Sequence, residues 1–285
     1  MKPLNPIVIY HANCTDGFAA AWCFHRDNPD GYDFYPATYG SAPPDVTGRQ
    51  VFLVDFSYKR DVLLQMAAVA TSITILDHHK SAQEDLDGLA ADPAWPATCS
   101  AHVVFDMNRS GAGIAWDYLF PTEPRPDVLA CIEDRDLWLF KRLESREVHA
   151  AVNSRPFSFP YFTGLMQQTP AEYFSMIDVG RALLAQHNKH VADVCRTTMR
   201  RLWLAGHTVP VANVPGYMAS DAGHLLSENE PFAATYYDTA DKRNFSLRSR
   251  PEGEDVSAVA RAYGGGGHKH AAGFSVPRGH LLALM

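Results

Sequence analysis

The run Ile73-Thr74-Ile75-Leu76-Asp77-His78-His79-Lys80 does most to limit what this chain can fold into. Four apolar or β-branched residues lead into an acid and two adjacent histidines, which reads as a buried strand ending in polar groups. Open α/β sheets collect ligand sites at the carboxyl ends of their strands. Adjacent histidines on a strand face opposite sides, but where the chain turns at a strand end both can enter one cleft. A pair of hydrogen-bonded structural histidines is the plain alternative for His78-His79 alone. Three further apolar runs argue against it, because each closes on the same chemistry. Pro6-Ile7-Val8-Ile9-Tyr10 leads to His11-Ala12-Asn13-Cys14-Thr15-Asp16-Gly17, and Val51-Phe52-Leu53-Val54 leads to Asp55. Val128-Leu129-Ala130-Cys131-Ile132 leads to Glu133-Asp134-Arg135-Asp136. Four such runs predict one metal-binding cleft along the edge of a parallel sheet.

The spacing between the runs supports that sheet. Gly17 to Phe24 reads as a buried helix that begins beside the presumed site, and Asp61 to Ala70 has helical spacing. The resulting β-α-β-α-β order predicts parallel strands joined by crossovers. Residues 30–50 read as loop plus a short strand, and residues 81–100 as irregular. Ser110 is placed to cap a helix over 111–119. From Thr169 to Leu204 the pattern is helical with few breakers, ending in Arg200-Arg201-Leu202-Trp203. Beyond it, 207–214, 232–237 and 244–248 read as strands and 255–262 as a short helix. The chain then reaches Gly264-Gly265-Gly266-Gly267-His268-Lys269-His270-Ala271-Ala272-Gly273. The expected organisation is a doubly wound, mostly parallel α/β domain over 1–185, a helical connector over 186–204 and a smaller α/β domain over 205–285.

Charge and cysteine usage narrow the function. The formal net charge of −7 opposes a grip on long nucleic acid, which calls for a basic surface. A short phosphate ester is compatible with an acidic chain when bound cations and a few local arginines supply the positive charge. The five cysteines are odd in number and without CxxC spacing, which fits reduced thiols and a cytoplasmic protein. No apolar stretch is long enough to span a bilayer and no leader peptide is evident, so no membrane partner is expected.

Aspartate and neutral histidine suit divalent manganese, magnesium, iron or zinc. A carboxylate that ends a strand can bridge two cations, and Asp55 is the natural bridge between the groups at 11–16 and 77–78. Two ions about 3.5–4 Å apart can activate water and stabilise an in-line displacement at phosphorus. The glycine run lets backbone N–H groups approach a phosphate closely; a merely flexible loop is the plainer reading. Arg248 offers a planar fork matched to phosphate. Arg250, Arg261 and Lys269 add positive charge nearby. His25, His102, His149, His187, His190 and His280 read as surface or core histidines, and Trp116 and Trp138 as core.

Taken in order, His11…Asp16-Gly17, Asp55, Asp77-His78-His79, Asp134 and Gly265-Gly266-Gly267-His268…Ala271-Ala272-Gly273 closely resemble the DHH/DHHA1 phosphoesterases over nearly the whole chain. The resemblance implies an N-terminal DHH domain holding two manganese-type ions (magnesium is the substitute) and a smaller substrate-binding DHHA1 domain. It implies that His11 and Asp55 hold one ion, and that Asp16, Asp55, His78 and Asp134 hold the other, with Asp136 the less favoured substitute for Asp134. His79 would lie at the scissile phosphate and Asp77 would orient the histidines. Arg248, Gly265, Gly266, Gly267 and His268 would bind a phosphate or terminal nucleotide. Cys14 stands where the family usually has a first aspartate. It is either a soft ligand, the mark of a weakly held first ion, or the mark of a nucleotide sensor without turnover.

The expected activity is a metal-dependent phosphodiesterase releasing nucleoside monophosphates from short single-stranded oligonucleotides or dinucleotides. A nucleotide 3′-phosphatase, a cyclic-dinucleotide phosphodiesterase and a non-catalytic sensor are the alternatives. A homodimer stays open.

Overall fold

The computed structural model describes residues 4–284, and the chain divides into two compact units, Met1–Leu184 and Ala185–Met285. The first contains β1 (Ile7–His11), α1 (Thr15–Asp27), β2 (Asp33–Ala37), β3 (Gln50–Val54), α2 (Arg60–Ala67), β4 (Ser72–Asp77), α3 (Lys80–Asp85) and β5 (Ser100–Phe105). Four helices follow, α4 (Gly111–Leu119), α5 (Asp127–Asp136), α6 (Ser145–Val152) and α7 (Phe159–Met166). The long α8 (Pro170–Thr198) runs from the first unit into the second.

The five strands of the first unit are all parallel in the order β2-β1-β3-β4-β5. Strands covered on both faces need apolar side chains in both directions, which is why β1, β3 and β4 read as unbroken apolar runs. Val8, Val54 and Leu76 join a core with Trp22, Trp116 and Leu129. Ile7, Ile9, Leu53, Ile73 and Ile75 join another core with Leu63 and Met66 of α2. Each such side chain, fully buried, contributes about 1.5–3 kcal/mol. Trp22 donates to Thr163 Oγ1 at 3.0 Å and Trp116 to the Glu123 carbonyl at 3.1 Å, so both indoles are buried without a lost hydrogen bond. This is the expected doubly wound sheet. Its switch point lies between β1 and β3, where the chain leaves in opposite directions and a crevice opens at the carboxyl edge.

Three local expectations are corrected. Residues 128–132 are not a strand but the body of α5. Val128, Leu129, Cys131 and Ile132 are buried, and their spacing fits one helical face as well as it fits a strand. The helical reading of 169–204 stops at Thr198, because Leu202 and Leu204 point inward while Arg201 and Trp203 point out. That alternation makes β6 (Arg200–Leu204), an edge strand, so the connector ends earlier than expected. Part of 81–100 is helical, as α3, and β5 follows as an unanticipated fifth strand.

The second unit adds β7 (His207–Asn213), α9 (Ala219–Leu226), β8 (Ala233–Asp238), β9 (Lys242–Arg248), α10 (Val256–Arg261), β10 (Gly266–His268), β11 (Ala271–Pro277) and α11 (Leu281–Leu284). Its sheet runs β10-β11-β9-β8-β7-β6, with only the β7–β8 pair parallel among the described strands. Phe245 and Leu247 of β9 pack with Val256 and Ala260 of α10 on one face. Val191 and Cys195 of α8 pack with Met218 and Ala222 on the other. No helix among the described residues is long and apolar enough to cross a membrane.

Candidate metal centre

Register brings the polar residues together. Tyr10 pairs with Val54, and Val54 with Leu76, so β1, β3 and β4 end at one level. The next residues are His11, Asp55 and Asp77, and three polar side chains leave the sheet edge side by side. Asp55 adopts a left-handed backbone with φ 53°, a conformation that aspartate tolerates better than most side chains. Its N–H still bonds the Leu76 carbonyl at 3.0 Å, and its carboxylate reaches neighbours on both sides.

Two donor sets result within this unit, and within each the candidate ligand atoms lie no more than 4.8 Å apart. One is His11, Asp55 and His79; the other is Asp16, His78 and Asp136. Asp55 joins them. Its Oδ2 lies 3.5 Å from His11 Nδ1, and its Oδ1 lies 3.1 Å from His78 Nε2. His78 Nε2 is also 3.4 Å from Asp136 Oδ2 and 3.9 Å from Asp16 Oδ2. Asp16 and Asp55 are buried, while Asp136 stands at the exposed rim.

The supports of this cluster are as specific as its members. Asp77 is fully buried, and its Oδ1 accepts from His79 Nδ1 at 2.7 Å and from the His78 N–H at 2.8 Å. Ser57 donates to the other oxygen at 2.7 Å. Asp16 accepts the first N–H groups of α4, from Gly111 at 2.6 Å and Ala112 at 3.1 Å, placing its charge at a helix N-terminus. A Cβ on Gly111 would stand 2.3 Å from Asp55 Cβ, and one on Gly17 would stand 2.4 Å from the His11 carbonyl. Both glycines are demanded by close approach. Tyr39 packs against His11 with ring centroids 5.2 Å apart and against His79 at 6.0 Å.

The charge balance of the cluster calls for cations. Burial, then the charges of Asp55 and Asp136, push Asp16 well above the usual carboxylate range. Burial also opposes ionised Asp55, but the imidazoles of His11 and His78 beside it hold it well below that range. Burial lowers His78, an effect outweighed by the Asp55 hydrogen bond and by the charges of Asp136, Asp55 and Asp16, so its pKa rises. Asp55 Oδ2 and His11 Nδ1 are buried and make no hydrogen bond within the usual limits, an arrangement that costs about 1–3 kcal/mol per group. A divalent cation held by both satisfies them and offsets the repulsion between carboxylates. Oxygen and imidazole donors within about 4–5 Å of one another match ions with ligand distances of roughly 2.0–2.6 Å. The residues fit a divalent metal centre.

His11, Asp16, Asp55, Asp77, His78 and His79 thus converge, and Asp134 does not. Its Oδ1 accepts the Lys141 N–H at 2.9 Å, and its Oδ2 accepts the Arg142 N–H at 3.1 Å and Ser145 Oγ at 2.5 Å. It fastens the turn before α6. On a helix, residues two apart diverge by about 200°, so only one of Asp134 and Asp136 can face the cluster, and Asp136 does. Cys14 precedes α1 and belongs to neither donor set among the described residues. Burial and the charges of Asp55, Asp136 and Asp16 push its thiol well above the usual range, which disfavours a thiolate there unless a cation is bound.

The remaining candidates lie in the second unit. Arg248 and His268 both pair with Ala271, from opposite sides of β11. In-register residues share a sheet face, so the two side chains project together about 9–10 Å apart. Arg248 donates to Ser220 Oγ at 2.7 Å. The glycines between them are explained by packing: a Cβ on Gly265 would meet the Gly273 carbonyl at 2.0 Å, and one on Gly267 the Ala271 carbonyl at 2.6 Å. Gly266 pairs with Gly273 in the β10–β11 hairpin.

The parallel sheet at 2-1-3-4-5 and the second, mostly antiparallel sheet match the solved DHH domain of a protein assigned to a ribosomal-protein family. The match has a TM-score of 0.55 at 12% identity and covers 94% of this chain and 82% of that one. At that identity the match shows the fold alone, one shared with that DHH domain. The pGpG-specific phosphodiesterase PggH from Vibrio cholerae superposes with a TM-score of 0.48 at 13% identity, over 96% of this chain and 94% of that one. Uncharacterized protein R106 of Acanthamoeba polyphaga mimivirus is 26% identical over an alignment of 299 positions, which covers 94% of this chain and 67% of the viral protein. No family profile matches the chain.

Proposed function

We propose that the chain is a metal-dependent phosphodiesterase that hydrolyses short oligonucleotides or linear dinucleotides to nucleoside monophosphates. The observation that carries this reading is the convergence of Asp16, Asp55, Asp136 and three histidines, with Asp55 offering one oxygen to each of two donor sets. His11 and Asp55 would hold one divalent ion, manganese or magnesium, and Asp16, Asp55, His78 and Asp136 the other. Such ions, when bound, supply an activated water and charge stabilisation for in-line displacement at phosphorus.

The chain's own residues prepare that step. Asp77 keeps a proton on His79 Nδ1, so the tautomer and orientation of His79 are set before substrate arrives. Ser57 holds Asp77 in turn. His79 then lies ready at the phosphate undergoing cleavage. Arg248 and His268 give the C-terminal unit a phosphate-binding position of its own. A net charge of −7 favours small anionic substrates over long polymers.

A substrate panel with Mn²⁺, Mg²⁺ or chelator tests the proposal. It holds RNA and DNA of two to five nucleotides, a 3′,5′-bisphosphate nucleotide, a cyclic dinucleotide and pyrophosphate. Metal-dependent release of mononucleotides from the shortest oligonucleotides is the expected result. Cleavage of the bisphosphate or cyclic compound alone moves the reading to those substrates, and silence across the panel with metal bound overturns hydrolysis.

A further inference from the structure

Within the N-terminal unit, a cavity of about 440 Å³ opens beside the turn that carries His11. Tyr10, Asn13, Phe18, Asn153, Arg155 and Phe157 are among the residues that line it. Tyr10 and Asn13 flank His11 in sequence by one and two residues, so the cavity adjoins the metal centre through the backbone itself. Its volume lies within the roughly 300–1,000 Å³ of small-molecule sites.

Three features define what fits. The apolar surface is aromatic and fixed: Phe18 packs against Tyr10 at 5.8 Å, Phe157 at 5.5 Å and Phe162 at 4.7 Å between ring centroids. Phe18 itself is buried and stacked on Phe159 at 5.2 Å, so the half-buried Tyr10 and Phe157 supply the aromatic surface that a planar ligand would meet. The amide of Asn153 is held by Thr15 Oγ1 at 3.1 Å and by the His149 carbonyl at 2.9 Å. Its Oδ1 keeps a further accepting valence, while its Nδ2 also lies 3.4 Å from the His149 ring nitrogens. Asn13, exposed on a left-handed backbone with φ 57°, brings a second amide. The third feature is Arg155, an exposed cation 5.9 Å from the Tyr161 ring. Among the described residues it has no carboxylate at ion-pair distance, in a chain whose other arginines are mostly paired.

We infer that this cavity seats one nucleotide unit of the substrate, with the base against the aromatic wall, its edge toward Asn13 and Asn153, and a phosphate on Arg155. The inference rests on the phosphodiesterase reading and extends it to the residues that select a nucleotide. Pyrophosphate or a bare phosphate ester would leave the aromatic wall idle and offer several charges to one arginine. A planar heterocycle carrying one phosphate uses every group present.

The test is equilibrium binding of guanosine and adenosine 5′-monophosphate to the full chain, by calorimetry, with Mn²⁺ and with chelator. Inorganic phosphate serves as the base-free control. Arg155→Ala alters an exposed side chain and should leave the fold intact; Phe157→Ala removes part of the aromatic wall. The expected result is nucleotide binding tighter than phosphate binding, weakened about tenfold or more by Arg155→Ala and also by Phe157→Ala. Absence of nucleotide binding in the unmodified protein under both conditions, or equal binding in Arg155→Ala, overturns the subsite. Binding that depends on Arg155 without phosphodiester hydrolysis would retain the subsite and remove the enzyme reading. Hydrolysis with binding indifferent to Arg155 would do the reverse.

Discussion

Asp134 and Asp136 lie on opposite sides of one helix, and exchanging each for asparagine should separate two functions cleanly. Asp134 is 6% exposed and accepts two backbone N–H groups and the Ser145 hydroxyl. Its carboxyl is held below the usual range because these hydrogen bonds outweigh burial. An asparagine keeps one acceptor and turns an NH₂ group toward Arg142 N–H and Ser145, so about one charge-assisted hydrogen bond is lost and a donor–donor contact is created. At about 1.5–3 kcal/mol for a hydrogen bond to a charged group, Asp134→Asn should cost about 2–3 kcal/mol. That corresponds to roughly 4–12 °C in Tm for a unit of this size. Asp136→Asn removes one of three neighbouring acids, so in chelator its Tm should be at least that of the unmodified protein. Saturating manganese should stabilise the unmodified protein and Asp134→Asn, by about 2.7 kcal/mol at one hundred times Kd, and should stabilise Asp136→Asn less, because only the ion held beside Asp16 and His78 loses a ligand. Thermal unfolding in chelator and in Mn²⁺, with calorimetric titration of the metal, reads all of these. Loss of manganese binding in Asp134→Asn with retention in Asp136→Asn would refute the assignment.

Gly111→Ala should lower manganese affinity at least tenfold and cost about 1–3 kcal/mol, because the new methyl lands 2.3 Å from Asp55 Cβ and 2.8 Å from its Cα; unchanged metal titration would count against it. In the glycine run, Gly265→Ala should destabilise the C-terminal unit more than Gly264→Ala. The former collides with the Gly273 carbonyl at 2.0 Å, whereas Gly264, with φ +78°, has nothing within 4 Å of its Cβ and loses only the roughly 1–2 kcal/mol of a left-handed backbone. Denaturant midpoints in the reverse order would dismiss the packing explanation. Asp238 is held below the usual carboxylate range by Arg243 first and Arg278 as well, against burial. A depressed carboxyl contributes stability that is full above its unfolded value near 3.9 and fades as the pH falls through the folded pKa. Asp238→Asn should therefore cost about 0.5–1 kcal/mol at pH 7, and the gap to the unmodified protein should close below about pH 4; a constant gap across that range would contradict the linkage.

Six of the cluster's residues are legible in the amino-acid sequence because parallel strands buried on both faces leave unbroken apolar runs, and the donors follow those runs directly. His11, Asp55 and Asp77 are each the first polar residue after such a run, or its last member, so locating the strands locates the ligands. The same logic fails at 128–132. Five apolar residues fit a buried strand and a helical face equally, and only packing decides for the helix and thereby for Asp136 over Asp134. β5 escapes a reading by pattern because its residues 100–105 are half-exposed at the sheet edge and carry no continuous apolar run. Gly111 has no signal of its own, since what forbids a side chain there is Asp55, far away in sequence. The pairing of Arg248 and His268 on one face needs the register of β9, β10 and β11. Local patterns of apolarity are enough to name β1, β3 and β4 and the donors beside them. Which donors meet, and which glycines let them, depends on contacts between distant segments, and these exist only once the sheet has formed.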